Sequence, residues 1–287
     1  DYLMTFLRRI YALIVHSPAN AFFTDPLGRS IGTDPETGTV VNEIPDALYS
    51  GSDTEPQLVL IVDPINGTYN IVLIGIATGN YTLTIEYITE TQTTEQALNG
   101  TIVSGQTQHF RVEVSEVSAS LYVCAHVDIK PDTLNLGSRG TWITAYIELS
   151  EGFSVNNINV SSIMLNNTIP VDLSAPATIG DYDNDGIPDL MVKFNRTEVS
   201  EYILSKGIMT GNVTLTITGQ LNDKTLFEGS DVIRVRMLGD VNIDGEVDMR
   251  DIAIAATAFG SYPNHPRWNY IADENEDNRV DLKDIGS

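Results

Sequence analysis

Apolar residues follow two different periods along the chain. In the first segment they recur at helical spacing, at Leu3, Phe6, Leu7, Ile10, Leu13 and Ile14. This spacing predicts one amphipathic helix that ends at Ser17-Pro18, because proline disfavours the helical conformation in the residue before it. Farther along, apolar and polar residues alternate over short runs, which is typical of strands with one buried face. The pattern therefore predicts one helix followed by a long β-rich region.

Turn signals divide the β-rich region into two units. Pairs such as Asp63-Pro64 and Asn66-Gly67 separate the predicted strands, as in antiparallel β-sandwiches. A polar run of small residues at 115–120 lies between two stretches of about 100 residues, the usual length of a sandwich. We predict a mainly β fold with a short N-terminal helix or linker at 1–17, an Ig-like β-sandwich at 18–117, a second Ig-like sandwich at 118–236 and a small α-helical module at 237–287.

The predicted elements follow this division. The clearest strands of the first sandwich are 57–62, 68–74, 81–87 and 107–114. Those of the second sandwich are 123–129, 141–149, 162–165, 190–194 and 212–219, with a helical candidate at 196–204. In the last module a short apolar helix is predicted at 252–259, between two acidic segments.

Composition and charge narrow the class of protein. Apolar residues make up 42% of the chain, and 16 basic residues against 39 acidic ones give a formal net charge of −23. The apolar fraction is that of a folded protein, and the negative charge excludes nucleic acid from the expected partners. No uncharged apolar run reaches the length that spans a membrane. Cys124 is the single cysteine, so no intramolecular disulfide can form.

Seven Asn-X-Ser/Thr sequences, the acceptors for N-glycosylation in exported proteins, indicate secretion. They are at Asn66, Asn80, Asn99, Asn159, Asn166, Asn195 and Asn212. The chain opens on Asp1 without a small-residue cleavage site, so we expect a mature product or a fragment. These features predict an extracellular or cell-surface glycoprotein, which something other than a disulfide must stabilise.

Two acidic twelve-residue segments, 240–251 and 273–284, have the spacing of a calcium-binding loop. Calcium takes six to eight oxygen ligands, and such a loop supplies them from positions 1, 3, 5, 7, 9 and 12. The predicted ligands are Asp240, Asn242, Asp244, the Glu246 carbonyl, Asp248 and Asp251 in the first loop, and Asp273, Asn275, Asp277, the Arg279 carbonyl, Asp281 and Asp284 in the second. Position 6 requires a sharp bend, and Gly245 stands there in the first loop. Asn278 stands there in the second loop, where it is tolerated because asparagine accepts a positive φ more readily than most residues.

Both loops carry Asp at position 12 in place of the Glu of ordinary EF-hands, and neither has the usual preceding helix. On the motifs Gly239-Asp-Val-Asn-Ile-Asp-Gly, Val247-Asp-Met-Arg-Asp-Ile and Val280-Asp-Leu-Lys-Asp-Ile, region 238–285 resembles a dockerin, the calcium-dependent docking module of secreted archaeal and bacterial proteins. The resemblance implies two calcium ions and a cohesin-like partner. It also implies that positions 10 and 11 read this partner, which here are Met249, Arg250, Leu282 and Lys283. The chain departs from the pattern at its end, since only Gly-Ser follows Ile285. A calcium-stabilised cap without a partner remains an alternative.

A third acidic segment lies inside the second predicted sandwich. Its predicted calcium ligands are Asp181, Asp183, Asp185, the Ile187 carbonyl and Asp189, with Val192 where position 12 requires an acid. The alternative is a plain acidic surface turn. Most of region 121–236, from Val127-Asp-Ile-Lys-Pro-Asp through 181–193, also resembles a β-sandwich module that recurs beside dockerin-like tails in secreted prokaryotic proteins, and no activity attaches to that module. The resemblances together lead us to expect an archaeal protein. The expected cofactors are therefore three calcium ions, two in the last module and one in the second sandwich.

Catalytic signatures are weak. The sequence Gly28-Arg-Ser30-Ile-Gly32 matches a nucleophile elbow, but turns flank it where the elbow needs a strand before and a helix after. We therefore predict a hairpin tip there. The four histidines are scattered at His16, His109, His126 and His265, without metal-binding spacing. The chain is predicted to have no enzymatic activity of its own.

The combined prediction is a secreted, calcium-stabilised structural or attachment region. Its expected partner is a cohesin-like or other β-sandwich protein, or another copy of the same chain. Two alternatives stay open at this stage. One is the accessory region of an extracellular hydrolase with an upstream catalytic domain, since the first sandwich loosely resembles modules that follow such domains. The other is a subunit of a cell-surface layer or filament.

Overall fold

The computed structural model describes residues 9–138, 140–242, Asp244 and 247–285. The first ten strands are β1 Ile10–His16, β2 Ala19–Thr24, β3 Ser30–Thr33, β4 Val40–Asn42, β5 Ala47–Tyr49, β6 Gln57–Val62, β7 Gly67–Gly75, β8 Gly79–Ile88, β9 Thr93–Ile102 and β10 Thr107–Val114. They are followed by β11 Ala119–Lys130, β12 Thr133–Asn135, β13 Trp142–Leu149, β14 Ile158–Leu165, β15 Ile169–Pro170, β16 Thr178–Gly180, β17 Asp189–Asn195, β18 Gly211–Leu221 and β19 Leu226–Arg236.

The described helices are few and short. They are the 3₁₀ turn Val155–Asn157, α1 Arg196–Ser205, α2 Met249–Ala258 and α3 Leu282–Ile285. The mainly β class is therefore confirmed, as are the two helices predicted near 196–204 and 252–259. None of the described helices is both long and apolar enough to cross a membrane.

The predicted N-terminal helix is wrong over residues 10–16, which form β1. This strand is the centre of a five-stranded sheet with the order β5-β6-β1-β8-β9, so neighbours on both sides supply its backbone hydrogen bonds. Tyr11, Leu13 and Val15 are at most 1% exposed. Because β-branched and aromatic residues favour strands, two paired neighbours outweigh the helical spacing of the apolar positions. Residues 1–8 of that prediction lie outside the described residues.

The first β-rich unit packs two sheets face to face. The five-stranded sheet covers strands of a larger sheet, whose path is β15-β14-β18-β19-β11-β10-β7-β2-β3-β4. Between the sheets, the ring of Tyr11 stacks on Phe23 of β2 at 5.5 Å and on Tyr69 of β7 at 5.9 Å. Such aromatic pairs add to the large apolar area that the rings bury.

One strand joins the two β-rich units. The first residues of β11, 119–123, pair with β10, whereas residues 125–130 pair with β13. Residues 122–124 also pair in parallel with β19. Buried residues from both units belong to one hydrophobic cluster, and Arg111 Nη1 lies 2.8 Å from Glu228 Oε1 across the junction. The two units therefore share a strand and a continuous core.

The last segment has a small core of its own. Val241, Ala258, Ala272 and Val280 are at most 6% exposed and form a cluster separate from the main one, with Trp268 packed against it. Backbone hydrogen bonds between Gly260 N and Val280 O, 2.8 Å, and between Val280 N and Ser261 O, 3.1 Å, tie the end of α2 to the second acidic loop. We call residues 237–285 the C-terminal module.

Candidate metal centres

The third acidic loop connects β16 to β17 and brings carboxylates together. Among the described residues, two sets of three acids have ligand atoms within 4.8 Å of one another, and both include acids of this loop. One set is Asp181, Asp183 and Asp189; the other is Glu148, Asp183 and Asp185. Four of the predicted ligands thus converge, while Ile187, whose carbonyl was also predicted, occupies an exposed position in the same loop.

Local backbone geometry makes this convergence possible. Asn184 and Gly186, at positions 4 and 6, have φ values of 65° and 94°, and the left-handed conformation turns the chain sharply. Gly186 N–H then donates to Asp181 Oδ2 at 3.2 Å, across the whole turn. At the other end, the nearly buried Asp189 accepts from Tyr182 N–H at 2.9 Å. The loop is held from inside by its own acids.

Glu148 is a functional candidate that sequence reasoning missed. It lies on β13, next to Ile147, which pairs with Leu190 of β17. Partial burial, followed by the repulsion of Asp185, raises the pKa of the Glu148 carboxyl. The loop has Val192 where a position-12 acid would stand, and Glu148 supplies a carboxylate from the adjacent strand. Only the pairing of β13 with β17 reveals this, because Glu148 stands 33 positions before Asp181, the first residue of the loop.

In the C-terminal module, the position-12 acids are buried hubs of hydrogen bonding. Asp251 is 1% exposed, and its Oδ1 accepts from Val241 N–H at 2.8 Å and Asn242 N–H at 3.1 Å. Its Oδ2 accepts from Asp248 N–H at 2.8 Å. These backbone donors, the one of Asp248 first, hold the pKa of Asp251 below its usual value. The carboxylate thus closes the first loop onto its own start.

Asp284 repeats this arrangement in the second loop. It is 5% exposed, and its two oxygens accept from Asn275 N–H at 3.2 Å and from Asp281 N–H at 2.7 Å. These donors stand at positions 3 and 9, the same positions that bind Asp251 in the first loop. The two loops therefore share one hydrogen-bonding scheme, as the sequence repeat predicts.

Positions 1, 3 and 5 are also connected alike. Asp244 N–H donates to Asp240 Oδ1 at 3.1 Å and to Asn242 Oδ1 at 2.8 Å. In the second loop, the matching bonds run from Asp277 N–H to Asp273 Oδ1 at 3.2 Å and to Asn275 Oδ1 at 2.9 Å. The three side chains of each loop therefore turn to the same side of the chain.

The bend at position 6 is confirmed for the second loop. Asn278 has a φ of 65°, and its N–H donates to Asp273 Oδ2 at 2.9 Å. Burial raises the pKa of Asp273. Gly245 and the predicted carbonyl ligand Glu246 of the first loop lie outside the described residues. Arg279, the corresponding carbonyl in the second loop, occupies an exposed position.

The position-9 acids start the helices that follow. Asp248 is the N-cap of α2 and accepts from Arg250 N–H at 2.7 Å, and together with Asp251 it forms a capping box. Asp281 accepts from Lys283 N–H at 2.9 Å in the same way. A capping box satisfies backbone donors that a helix leaves free at its first turn. The same two residues, Asp248 and Asp251, therefore close the first loop and begin α2.

The donor chemistry of the three loops fits a hard divalent cation. Every predicted ligand offers oxygen, the ligand type that calcium prefers, and neither histidine nor cysteine takes part. A carboxylate has about four lone-pair positions, so the three N–H donors on Asp251 leave one on Oδ2. The two donors on Asp284 leave more. The acids can therefore hold their loops and bind a cation together.

The predicted partner-binding residues are exposed in matching places. Met249 and Leu282 are 74% and 76% exposed at the starts of α2 and α3. Beside them, Arg250 Nη1 lies 3.6 Å from Asp244 Oδ2, and Lys283 Nζ lies 3.3 Å from Asp277 Oδ2. Each loop thus presents one apolar and one basic side chain, with the basic group next to the position-5 acid.

The asparagines of the seven Asn-X-Ser/Thr sequences differ in how exposed they are to solvent. Five are exposed: Asn66, Asn80, Asn99, Asn159 and Asn212. Asn166 and Asn195 are half-buried; the side chain of Asn166 accepts from Thr216 N–H at 2.7 Å, and that of Asn195 caps α1. Asn80 and Asn99 lie on neighbouring strands, with Thr82 directly opposite Asn99.

The serine of the elbow-like motif lies in a hairpin. Ser30 begins β3, which pairs in antiparallel fashion with β2 across the turn at 25–29. Asp25 holds this turn through bonds from Leu27 N–H and Arg29 N–H, both 2.9 Å. No helix follows the serine, so the strand–turn–helix geometry of a nucleophile elbow is missing at this place, and the predicted hairpin tip is confirmed.

The structure defines a mainly β chain with stacked sheets and three candidate cation loops. Comparison with known proteins does not narrow this class further. No family model and no curated protein matches the chain. Among solved structures, murine CEACAM1b is 11% identical over 82% of this chain and 89% of that chain, with a TM-score of 0.19. BcpA, the major pilin subunit of Bacillus cereus, is 10% identical over 79% and 69%, with a TM-score of 0.20. PcdhgB3 EC1-4 is 13% identical over 78% and 46%, with a TM-score of 0.19. Likeness this slight assigns no function.

Proposed function

We propose that this chain is a secreted, calcium-stabilised, non-catalytic attachment region whose dockerin-like C-terminal module docks onto a cohesin-like or other β-sandwich partner. The observation that carries the proposal is the equivalence of the two acidic loops. The backbone N–H groups at positions 3, 5 and 9 donate to the same positions in both loops. An exposed apolar–basic pair stands at positions 10 and 11 of each loop. A repeated docking surface built on a repeated cation loop is the simplest account of that equivalence.

Calcium has a definite role in this account. Asp240, Asn242, Asp244, Asp248 and Asp251 would hold one ion, and their counterparts in the second loop would hold another. Each bound ion supplies two positive charges to a group of acids that otherwise repel one another. At a free calcium concentration of one hundred times Kd, binding at one site stabilises the folded state by about 2.7 kcal/mol, which is comparable to the effect of a disulfide. Calcium would thus brace a chain whose single cysteine cannot.

The location follows from the same chemistry. Extracellular calcium loops bind at about 10⁻⁴ to 10⁻³ M, concentrations that occur outside cells. The exposed sequons at Asn66, Asn80, Asn99, Asn159 and Asn212 fit an exported chain. The Ig-like assignment of the two β-rich units belongs to this proposal too, since mainly antiparallel sheets of this kind suit surface proteins.

Docking is tested by removing the exposed apolar pair. We expect the double variant Met249→Ala/Leu282→Ala to bind a panel of immobilised cohesin domains at least tenfold more weakly than the wild-type chain, because it removes the apolar area that two exposed side chains would bury in the interface. The measurement is surface plasmon resonance in calcium and again in chelator. Val232→Ala, which truncates a 57% exposed side chain on β19, is the matched control. If the calcium-loaded wild-type chain binds none of these domains, docking is contradicted and the cap without a partner is favoured.

Glu148 is tested in the third loop. We expect Glu148→Gln to weaken calcium binding at this loop by about tenfold, because it removes one of the carboxylates that converge there. Hydrogen exchange of the peptide that covers residues 181–189, followed during a calcium titration, reports on this site separately. Glu201→Gln removes an equal charge from the exposed side of α1 and is expected to change nothing. An unaltered midpoint in Glu148→Gln would show that Glu148 is not a ligand.

A further inference from the structure

The C-terminal module meets the rest of the chain at the end of β19, where Met237, its first residue, packs against the main core. Its apolar cluster is separate from the main core. Where the module meets the end of β19, a cavity of about 320 Å³ remains, with Met209, Met237, Trp268 and Ile271 among its lining residues. Apolar packing therefore fills this junction incompletely, and the hydrogen bonds and ion pairs across it decide how the module is held.

Two arginines at the end of β19 make these contacts, and we call Arg234 and Arg236 the arginine clamp. Arg236 Nη2 donates to the Glu274 carbonyl at 2.7 Å. Arg234 Nη1 lies 2.8 Å from Glu276 Oε1, and Arg236 Nη1 lies 3.6 Å from the same atom. In addition, Gly239 N–H donates to Glu274 Oε1 at 2.7 Å. The clamp thus reaches positions 2 and 4 of the second acidic loop.

The clamp holds loop residues that alternate with the predicted ligands. Glu274 and Glu276 stand at positions 2 and 4, between the side chains of positions 1, 3 and 5. Glu276 has a φ of 59°, a conformation that residues with a side chain adopt at some cost. Holding the Glu276 side chain and the Glu274 backbone carbonyl in place therefore favours the loop shape in which the ligands point to one side.

We propose that the arginine clamp positions the second loop for calcium, so that binding of calcium there and attachment of the module to β19 are one coupled event. The inference rests on the proposed function, and it assigns Arg234 and Arg236 as positioning residues rather than ligands. Coupling is reciprocal, so calcium strengthens the clamp by the same factor by which the clamp strengthens calcium binding. Because the clamp contacts Glu274 and Glu276 of the second loop, we expect calcium binding at the first loop to change much less.

The direct electrostatic effect of the two arginines on calcium affinity is opposite in sign to their positioning effect. An arginine near a cation site repels the cation, so removing its charge would by itself tighten calcium binding. The Arg234–Glu276 pair is half exposed, and pairs of this kind contribute little. Arg236 is better shielded and also binds the backbone carbonyl, so its positioning effect dominates. The sign of the change in affinity therefore separates the two mechanisms.

The test compares Arg236→Ala, Arg236→Lys and wild type in the full chain. Hydrogen exchange is followed while free calcium is raised, with the peptide at 273–281 reporting the second loop and the peptide at 240–251 the first. We expect both variants to raise the calcium midpoint of the second loop about fivefold or more, and to leave that of the first loop within twofold. Arg236→Lys keeps the charge but lacks the planar fork that reaches two acceptors. Lys193→Ala, on the other side of the second β-rich unit, is the matched control.

Three results would overturn the proposal. If the calcium midpoint of the second loop is unchanged in both variants, the coupling is contradicted but the proposed function is not, because calcium still binds. A lower midpoint in Arg236→Ala with no change in Arg236→Lys shows that the clamp acts only as repelling charge. If neither loop of the wild-type chain responds to calcium, the proposed function and the coupling both fail.

Discussion

Replacing Asp251 with alanine is expected to remove one bound calcium and to unfold the start of α2. The carboxylate accepts three backbone N–H groups within a site that is 1% exposed, and alanine offers no acceptor to replace it. Each buried donor left unsatisfied costs about 1–3 kcal/mol, so the C-terminal module should lose about 3 kcal/mol or more. Calcium stoichiometry by native mass spectrometry and hydrogen exchange of α2 measure the two effects.

Matched variants separate calcium binding from folding. Asp251→Asn keeps the Oδ1 acceptor and the shape, so it should preserve more of α2 while still weakening calcium binding. Asp284→Ala should remove the other ion of the module, and the double variant both ions, with the loop at 181–189 unaffected. If Asp251→Ala keeps full calcium stoichiometry and full protection of α2, the position-12 assignment is wrong.

Truncation of Phe227 to alanine should destabilise both β-rich units together. Phe227 is fully buried on β19, where it pairs with Val123 of the shared strand β11 and with Gly219 of β18. Loss of a buried phenylalanine costs about 3–5 kcal/mol through lost burial and the cavity left behind. Because β11 and one core connect the units, we expect a single, earlier urea transition of the sheets.

A second substitution on β19 serves as the control for Phe227→Ala. Val232→Ala removes a 57% exposed side chain from the same strand and should move the transition very little. The C-terminal module has its own core, and its transition is followed separately through α2. Two separate sheet transitions in Phe227→Ala, with one unit as stable as in wild type, would show that the shared strand does not couple the units.

The sequence predicted the strands of the sheets better than the start of the chain. Period-two alternation at 81–87 marks β8, since one face of that strand is buried, whereas β6 is marked by the apolar run at 58–62. The same reasoning failed at 10–16, because β1 lies between two strands and carries buried residues on successive positions. A helix and a doubly paired strand leave similar apolar runs, and only the pairing distinguishes them.

The loops were predictable to the extent that their residues are contiguous. Spacing alone indicated the left-handed bend at Asn278, because the whole loop lies within twelve residues. It marked Asp251 and Asp284 as position-12 ligands, and their role as hydrogen-bonding hubs emerged only from the structure. Glu148 and the arginine clamp were not predictable. Each reaches its loop through strand pairing or contact between distant segments, which leaves no local spacing in the sequence.

The central claim, that calcium braces this chain at three loops, is tested most directly by counting ions on the intact protein. Native mass spectrometry of the full chain in millimolar calcium should show three bound ions, and chelation should remove them. In chelator, hydrogen exchange should then reveal loss of protection in α2 while the β-sheets stay protected. A folded chain that binds no calcium under these conditions, with the same protection of α2 in calcium and in chelator, would contradict the account.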